Sequence, residues 1–184
     1  MARKDRQAAA LRMNIYLTGF MCAGKTAAGR ELARLLDRPF CDCDGLIEKR
    51  TGTTIAGLVK ERGLAHFRAL EAAQLRKLAA GGGRVIALGG GIYPSRRWKK
   101  LLSATGVTVF LACPWPELAK RLQAGAATRP LLAGRTQKSL ARAKKLYTAR
   151  LPFYNRAAIR VNTSGLTPKA AAREIRRRIK REYL

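Results

Sequence analysis

Acidic residues are scarce in this sequence, in which 11 Asp and Glu stand against 38 Lys and Arg and leave a net charge of +27. Such a field attracts polyanions in general, and a nucleic-acid-binding role is therefore kept as an alternative. The basic residues are dispersed along the chain, and zinc-finger, RNP-type and basic-region heptad patterns are absent. The charge is equally compatible with an enzyme that has an arginine-rich surface and anionic substrates.

Histidine, cysteine and long apolar runs are also scarce. His66 is the only histidine, and four cysteines occur, at positions 22, 41, 43 and 113. A C-x-C pair alone is a weak metal signal, and no second Cys/His pair is present to complete a zinc site. We therefore expect reduced thiols and a cytoplasmic protein. No apolar run approaches the ~18 residues that would span a bilayer, and no membrane association is expected.

The length of 184 residues and the hydrophobic fraction of 47% predict one domain with a sizeable core. Residues 1–12 are basic and alanine-rich, with no separate apolar signal core. We interpret them as a basic N-terminal tail, followed by a single domain at residues 13–184.

One strong motif is present, GFMCAGKT at residues 19–26, which fits the phosphate-binding pattern G-x-x-x-x-G-K-[ST]. Before it, residues 14–18 are apolar and partly β-branched, which predicts a buried strand. After it, residues 26–36 carry apolar side chains at helical spacing. A strand, a glycine loop and a helix in this order are the context in which the pattern indicates a nucleotide site.

The residue types in this loop suit the binding of phosphate and Mg²⁺. Gly19 and Gly24 lack side chains, which lets the backbone wrap closely around a phosphate. The N–H groups of the loop and of the helix N-terminus then point at anionic oxygens. Lys25 is expected to reach the β- and γ-phosphates of ATP, and the Thr26 hydroxyl to ligate Mg²⁺.

Strands alternate with helices along the whole chain, which predicts a parallel sheet with helices on both faces. Besides the first strand, the predicted strands are residues 40–44, 85–88, 107–111 and 159–161. Ligands of such sheets bind beyond the carboxyl ends of the strands. The first three strands end at the glycine loop, at Asp42 and Asp44, and at a triple glycine, and we expect these segments to share one edge.

Five elements in this order resemble the shikimate kinase family, over nearly the whole chain from about Met13. They are the phosphate loop, Asp42 and Asp44, Phe67-Arg68 with Glu71, Gly89-Gly90-Gly91, and Arg129-Pro130-Leu131-Leu132 followed by Arg150 and Tyr154. Many phosphate-loop enzymes carry a magnesium-binding Asp after the strand at 85–88, whereas shikimate kinases carry glycines there. The resemblance implies a P-loop NTPase, nucleoside-monophosphate-kinase-like fold: an α/β three-layer sandwich with a five-stranded parallel sheet and a small mobile lid.

The resemblance implies Mg²⁺-dependent transfer of the ATP γ-phosphoryl group to the 3-hydroxyl of shikimate, in chorismate and aromatic amino-acid biosynthesis. Arg68 and Arg150 match the pair that holds the substrate carboxylate, a task that suits planar guanidinium groups. Asp44 matches the acid that binds the ring hydroxyls, and it could take the proton of the attacking hydroxyl. The triple glycine would offer backbone N–H groups to the ring substituents. Substrate-binding helices are implied at about residues 44–80.

On the nucleotide side, Asp42 matches the acid that supports Mg²⁺ beside Thr26. The implied ATP-binding residues are Gly19, Cys22, Ala23, Gly24, Lys25, Thr26, Ala27, Arg121 and Arg129. Arg129 lies in the segment that matches the family's lid, at about residues 122–137. There it would share with Lys25 the stabilisation of the transferring phosphoryl group. Lys25, Asp44 and Arg129 are therefore the candidate catalytic residues.

Two alternatives stay open. Another small-metabolite kinase of the same fold, such as a gluconate kinase, also phosphorylates a hydroxyl on a carboxylated polyol, although the Asp pair and the triple glycine favour shikimate. An ATP-dependent nucleic-acid-binding protein would instead associate with polynucleotide in a salt-sensitive way. The preferred hypothesis is a monomeric kinase that acts on a small molecule.

Overall fold

The computed structural model describes residues 12–93, 96–124 and 137–183. Within these ranges five strands form one sheet in the order β2-β3-β1-β4-β5, and every neighbouring pair is parallel. The strands are Asn14–Thr18 (β1), Phe40–Asp42 (β2), Val85–Ala87 (β3), Gly106–Ala112 (β4) and Ile159–Asn162 (β5). The predicted five-stranded parallel sheet is confirmed.

Helices alternate with the strands in the described part of the chain. They are Lys25–Leu36 (α1), Cys43–Thr51 (α2), Ile55–Ala80 (α3), Lys99–Thr105 (α4), Trp115–Ala124 (α5), Gln137–Tyr154 (α6) and Pro168–Tyr183 (α7), with a 3-10 turn at Arg96–Trp98. Thr54 begins α3 as a cap, since its side chain accepts a hydrogen bond from Gly57 N–H at 3.1 Å. None of the described helices combines the length and the apolarity that crossing a membrane requires.

Helices cover both faces of the sheet, and all five residues of β1 are buried. Leu17 belongs to a core cluster with Leu32 of α1 and Ile175 of α7. Tyr16, which precedes Leu17, points to the opposite face and packs in a second cluster with Leu75 of α3. Each fully buried aliphatic side chain contributes about 1.5–3 kcal/mol to the stability of the folded state. The three-layer arrangement therefore holds the sheet rigidly from both sides.

One predicted helix boundary is confirmed and another is wrong. The sequence predicts separate helices on either side of Gly63, and the non-helical backbone of Gly63 (φ 80°, ψ 163°) does divide α3 into two helical parts that meet at a kink. The sequence also predicts an interruption at Pro152, which is wrong because α6 continues to Tyr154. Proline removes only one helical hydrogen bond so near a helix end, and burial of Tyr154 anchors the last turn.

Two predicted segments fall largely outside the described residues. The lid at about 122–137 lies mostly on residues 125–136, and Arg129 is among them. The N-terminal tail, 1–12, lies outside except for Arg12. Both assignments stay predictions.

Candidate active site

Three segments meet at one edge of the sheet, because β2, β3 and β1 are neighbours and run parallel. Residues 19–26 follow β1, residues 42–44 begin at the last residue of β2, and the triple glycine 89–91 follows β3. We call these three segments together the rim. The structure thus brings the predicted phosphate loop, the acidic pair and the triple glycine to one place.

The phosphate loop (residues 19–26) is tightly folded at its two glycines. A Cβ atom on Gly19 would lie 2.8 Å from the backbone oxygen of Leu111 in β4, and Gly24 begins α1 with a left-handed backbone (φ 91°). Lys25 Nζ donates hydrogen bonds to the backbone oxygens of Gly19 at 2.9 Å and Phe20 at 3.2 Å. The ammonium group therefore lies within the loop, where a bound phosphate would compete with these oxygens for it.

The side chains of Thr26 and Asp42 place two oxygen atoms side by side. The Thr26 hydroxyl donates a hydrogen bond of 2.6 Å to Asp42 Oδ2. The other carboxylate oxygen, Oδ1, accepts from the N–H groups of Asp44 at 3.2 Å and Gly45 at 3.3 Å. Asp42 thereby ends β2 and caps α2, which explains why the predicted strand at 40–44 stops two residues early.

The Thr26 hydroxyl oxygen and Asp42 Oδ2 are suitable ligands for Mg²⁺. Mg²⁺ is bound by one or two protein oxygens, with waters and substrate phosphates as its remaining ligands. Among the described residues no group of three or more His, Cys, Asp and Glu could hold a metal ion. Thr26 and Asp42 would therefore bind Mg²⁺ together with a nucleotide rather than as a closed protein site.

Two arginines press against the triple glycine from different helices. Arg68 of α3 forms an ion pair with Glu71, one helical turn away. A Cβ atom on Gly91 would lie 1.8 Å from Arg68 Nη1, and one on Gly90 would lie 3.2 Å from Arg150 Nη1 of α6. A side chain at position 91 would therefore displace the Arg68 guanidinium group, whereas one at position 90 would shift Arg150 by only a few tenths of an ångström. Glycine lets both arginines lie at the same short segment.

Two carboxylates share the space beside Gly89. A Cβ atom on this residue would lie 2.4 Å from Asp44 Oδ1 and 2.5 Å from Glu71 Oε1. Both oxygens are buried and accept no hydrogen bond within the described protein. Buried acceptors without donors are costly, and hydroxyl groups of a ligand would supply the donors that both oxygens lack.

The surroundings of Asp44 and Glu71 raise the pKa of both carboxyl groups. Burial, followed by the nearby carboxylates of Glu71 and Asp42, raises the pKa of Asp44 to about 6, and the Lys25 ammonium opposes the rise. Burial also raises the pKa of Glu71, while Arg68 and Arg150 oppose it. Acids with a raised pKa in a cleft are candidates for proton transfer.

Arg121 lies over the phosphate loop from α5. Its Nη1 donates to the backbone oxygen of Cys22 at 3.2 Å, and its Nη2 pairs with Glu117. Ser164, after β5, donates a hydrogen bond of 2.6 Å to the other Glu117 oxygen. The sequence prediction included Arg121 but missed Glu117 and Ser164. The spacing of four residues could have revealed the Glu117–Arg121 pair, whereas nothing local connects Ser164 to a residue 47 positions away.

The predicted site residues in the described ranges therefore surround one rim. Cys22, Ala23 and Ala27 lie in or directly after the phosphate loop, and Cys22 has a positive φ of 62°. Asp44, Arg68 and Arg150 lie around the triple glycine. Arg129 is the predicted site residue outside the described part of the chain.

Comparison with known proteins gives one consistent result. The "Shikimate kinase" of Symbiobacterium thermophilum is 42% identical over 147 residues, which are 79% of this chain and 83% of that protein. The crystal structure of shikimate kinase from Aquifex aeolicus matches with a TM-score of 0.79 and 33% identity, over 91% of this chain and 96% of the other. Shikimate kinase from Acinetobacter baumannii, solved in complex with shikimate, matches with a TM-score of 0.87 and 32% identity, over 97% and 99%. The family model described as "Shikimate kinase" matches residues 21–180, and since both the sequence and the fold agree over most of its length, the chain belongs to the shikimate kinase family.

Proposed function

We propose that this chain transfers the γ-phosphoryl group of ATP to the 3-hydroxyl of shikimate. One observation carries the proposal: two arginines and two unsatisfied carboxylate oxygens meet at the triple glycine, on the same edge of the sheet as the phosphate loop. A ring that bears one carboxylate and several hydroxyls complements this set of groups. The Acinetobacter baumannii relative was solved with shikimate bound, which supports the choice of substrate.

Arg68 and Arg150 would hold the substrate carboxylate. They come from different helices and approach adjacent glycines, so that a carboxylate could accept hydrogen bonds from both. Each charged hydrogen bond should contribute about 1.5–3 kcal/mol to the free energy of substrate binding. Glu71 would keep Arg68 in position through their ion pair. We call Arg68 and Arg150 the clamp; it would hold the carboxylate of the ring beside Gly90 and Gly91, next to the Asp44 and Glu71 oxygens beside Gly89.

Asp44 would position and deprotonate the attacking hydroxyl. Its Oδ1 lacks a donor in the protein, and its pKa of about 6 lets it be ionised at neutral pH and still accept a proton readily. Glu71 Oε1 would accept from a neighbouring hydroxyl and orient the ring further. Positioning of this kind supplies much of the rate enhancement in phosphoryl transfer.

The phosphate loop and its neighbours would hold the nucleotide. Its N–H groups and Lys25 would bind the phosphates, Thr26 and Asp42 would bind Mg²⁺, and Arg121 would add positive charge above the loop. When bound, Mg²⁺ neutralises charge on the phosphate oxygens. Arg129, on the proposed lid, would contribute a further positive charge during transfer, and this role rests on the sequence resemblance.

A coupled assay of ADP release tests the proposal. With ATP and Mg²⁺, we expect ADP release that depends on shikimate and is accompanied by formation of a phosphate ester. Gluconate at the same concentration should give only the background rate. ADP release with gluconate but not with shikimate would assign the chain a different acceptor.

The same assay addresses the nucleic-acid alternative. The net charge of +27 predicts salt-sensitive binding to polynucleotide, but ATP turnover should not increase when polynucleotide replaces shikimate. Stimulation by polynucleotide alone would favour the alternative.

We further propose a cytoplasmic enzyme that acts as a monomer. All four cysteines are free, and two of them are buried, which suits a reducing compartment. Light scattering during gel filtration should give the mass of one 20.2 kDa chain, and a mass of two chains would overturn the monomer.

A further inference from the structure

A cavity of about 240 Å³ lies at the amino end of β4, whereas the phosphate loop follows the carboxyl end of the parallel strand β1. It is enclosed by α4, the beginning of β4, the segment between α6 and β5, and the last turn of α7. None of the rim residues lines it. The proposed phosphoryl transfer gives this cavity no task.

The lining of the cavity combines aromatic rings with positive charge. The rings are those of Tyr93, Phe153 and Tyr183, and the cations are Lys99 and Arg156. Both cations are exposed, whereas Tyr93 and Phe153 are half-buried. The Arg156 guanidinium carbon lies 5.0 Å from the centre of the Phe153 ring. No Asp or Glu is among the described residues that line the cavity, which therefore favours an anion.

The size and the chemistry together narrow the class of ligand. At about 240 Å³ the cavity is smaller than the ~300–1,000 Å³ of sites for drug-sized ligands, which suits a single-ring compound better than a nucleotide. A planar ring would stack among the aromatic side chains, and a carboxylate would pair with the two exposed cations. Thr108 also lines the cavity, and its hydroxyl oxygen accepts a hydrogen bond of 3.1 Å from Ala158 N–H.

The cavity is joined to the rim through two segments. Tyr93 lies two residues after Gly91, and its ring stacks on that of Tyr154, with centroids 6.4 Å apart. Phe153 precedes Tyr154 and lies three residues after Arg150 on α6. Arg150 partly offsets the burial that raises the pKa of Tyr154, which places these two side chains close together. A ligand between Tyr93 and Phe153 would therefore contact both segments that present substrate-binding groups.

We propose that this cavity is a second ligand site, which takes a small carboxylic acid with one ring and alters substrate binding at the rim. The binding part stands independently of the proposed function, whereas the effect on substrate affinity rests on it. An occupant that shifts Tyr93 or Phe153 would move the triple glycine or Arg150. The expected consequence is a changed KM for shikimate with little change in kcat.

Calorimetric titration with 4-hydroxybenzoate tests the binding site. Like shikimate, this probe has a ring with a carboxylate, which Arg68 and Arg150 could bind. The titration is therefore made with saturating shikimate present. Lys99→Gln and Arg156→Gln should each weaken binding ten-fold or more. Lys100→Gln, a neighbouring exposed lysine that does not line the cavity, should leave binding unchanged. Benzyl alcohol and acetate should each bind far more weakly, because one lacks the charge and the other lacks the ring.

Kinetics with and without the probe test the connection to the rim. At saturating 4-hydroxybenzoate the KM for shikimate should change at least two-fold, and the change should vanish in Lys99→Gln but persist in Lys100→Gln. Absence of binding, binding that shikimate abolishes, or equal binding by Lys99→Gln and Lys100→Gln would each overturn the second site. A chain that binds the probe through Lys99 but neither binds nor phosphorylates shikimate would refute the proposed function and leave the cavity site standing.

Discussion

At the scale of single residues, Asp44 and Glu71 share a poorly solvated space beside Gly89. A Cβ atom on Gly89 would lie within 2.5 Å of the nearest oxygen of each carboxylate, Asp44 Oδ1 and Glu71 Oε1. Neither oxygen accepts a hydrogen bond in the described protein. After burial, the Glu71 carboxylate is the next largest cause that makes ionisation of Asp44 less favourable. The pKa of Asp44 is therefore set by its surroundings in the fold.

Activity should fall as the pH drops through about 6. The pKa of Asp44 is raised to about 6, so the base is ionised above this pH and protonated below it. The profile of kcat/KM for shikimate reports the free enzyme and should show this acid limb. Glu71→Gln removes a negative neighbour, which lowers the pKa of Asp44 and should move the limb to lower pH. Asp44→Asn should reduce kcat by about 100-fold or more. An acid limb that does not move in Glu71→Gln would contradict this account of Asp44.

The two arginines at the triple glycine should control substrate affinity. Arg68→Ala or Arg150→Ala removes one charged contact of about 1.5–3 kcal/mol, and the KM for shikimate should rise ten-fold or more. Steady-state kinetics provide the measurement. Arg62→Ala on α3 and Arg142→Ala on α6 are matched controls, because both side chains are exposed on the same two helices. An unchanged KM in both Arg68→Ala and Arg150→Ala would remove the clamp from the mechanism.

At the scale of secondary-structure elements, Asp42 links the end of β2 to the beginning of α2. One of its oxygens accepts the Thr26 hydrogen bond and the other caps the helix. The sequence predicts the strand and the acid pair and leaves a capping role open, and the structure shows that Asp42 caps α2 and so ends β2. The α6 helix gives a similar lesson, since Pro152 predicts an end that burial of Tyr154 overrides. Local patterns predict elements well, and tertiary packing decides where they end.

The two tasks of Asp42 can be separated by substitution. Asn caps helices about as well as Asp, so Asp42→Asn should keep the thermal stability and raise the Mg²⁺ concentration needed for half-maximal activity. Asp42→Ala should show the same Mg²⁺ defect and also lose about 0.5–2 kcal/mol of stability. Thermal unfolding and Mg²⁺ titration of activity measure the two effects. A variant Asp42→Asn with the wild-type Mg²⁺ requirement would argue against a metal-binding role.

Gly91 should tolerate a side chain poorly for a steric reason. In Gly91→Ala the new Cβ would meet Arg68 Nη1 at 1.8 Å, and the guanidinium group would have to move out of the clamp. We expect the KM for shikimate to rise about ten-fold, as for loss of one charged contact, with a smaller change in kcat. Gly45→Ala on α2 is the control, because its Cβ would make only an ordinary contact of 3.7 Å. Equal kinetics for Gly91→Ala and the wild type would show that Arg68 does not need this space.

At the scale of the whole molecule, the parallel sheet explains how much of the site could be predicted. The phosphate loop is a local motif, and the order of strands and helices indicates that the carboxyl ends of the strands form a common edge. The sequence could not reveal the Ser164–Glu117 hydrogen bond over the phosphate loop or the cavity beside Tyr93, because these depend on packing between distant segments. Asp44 and Glu71 were each recognisable from the motif, whereas their shared space was not.

The central claim is that one rim holds two separable halves, a phosphate loop and a substrate clamp, and that turnover needs both. Calorimetric titration of shikimate and of ATP into Lys25→Ala and Arg68→Ala, with turnover measured on the same samples, tests it most directly. We expect Lys25→Ala to bind shikimate like the wild type but to lose phosphoryl transfer. Arg68→Ala should bind ATP normally and bind shikimate at least ten-fold more weakly. Full turnover in Lys25→Ala, or unchanged shikimate binding in Arg68→Ala, would contradict the account.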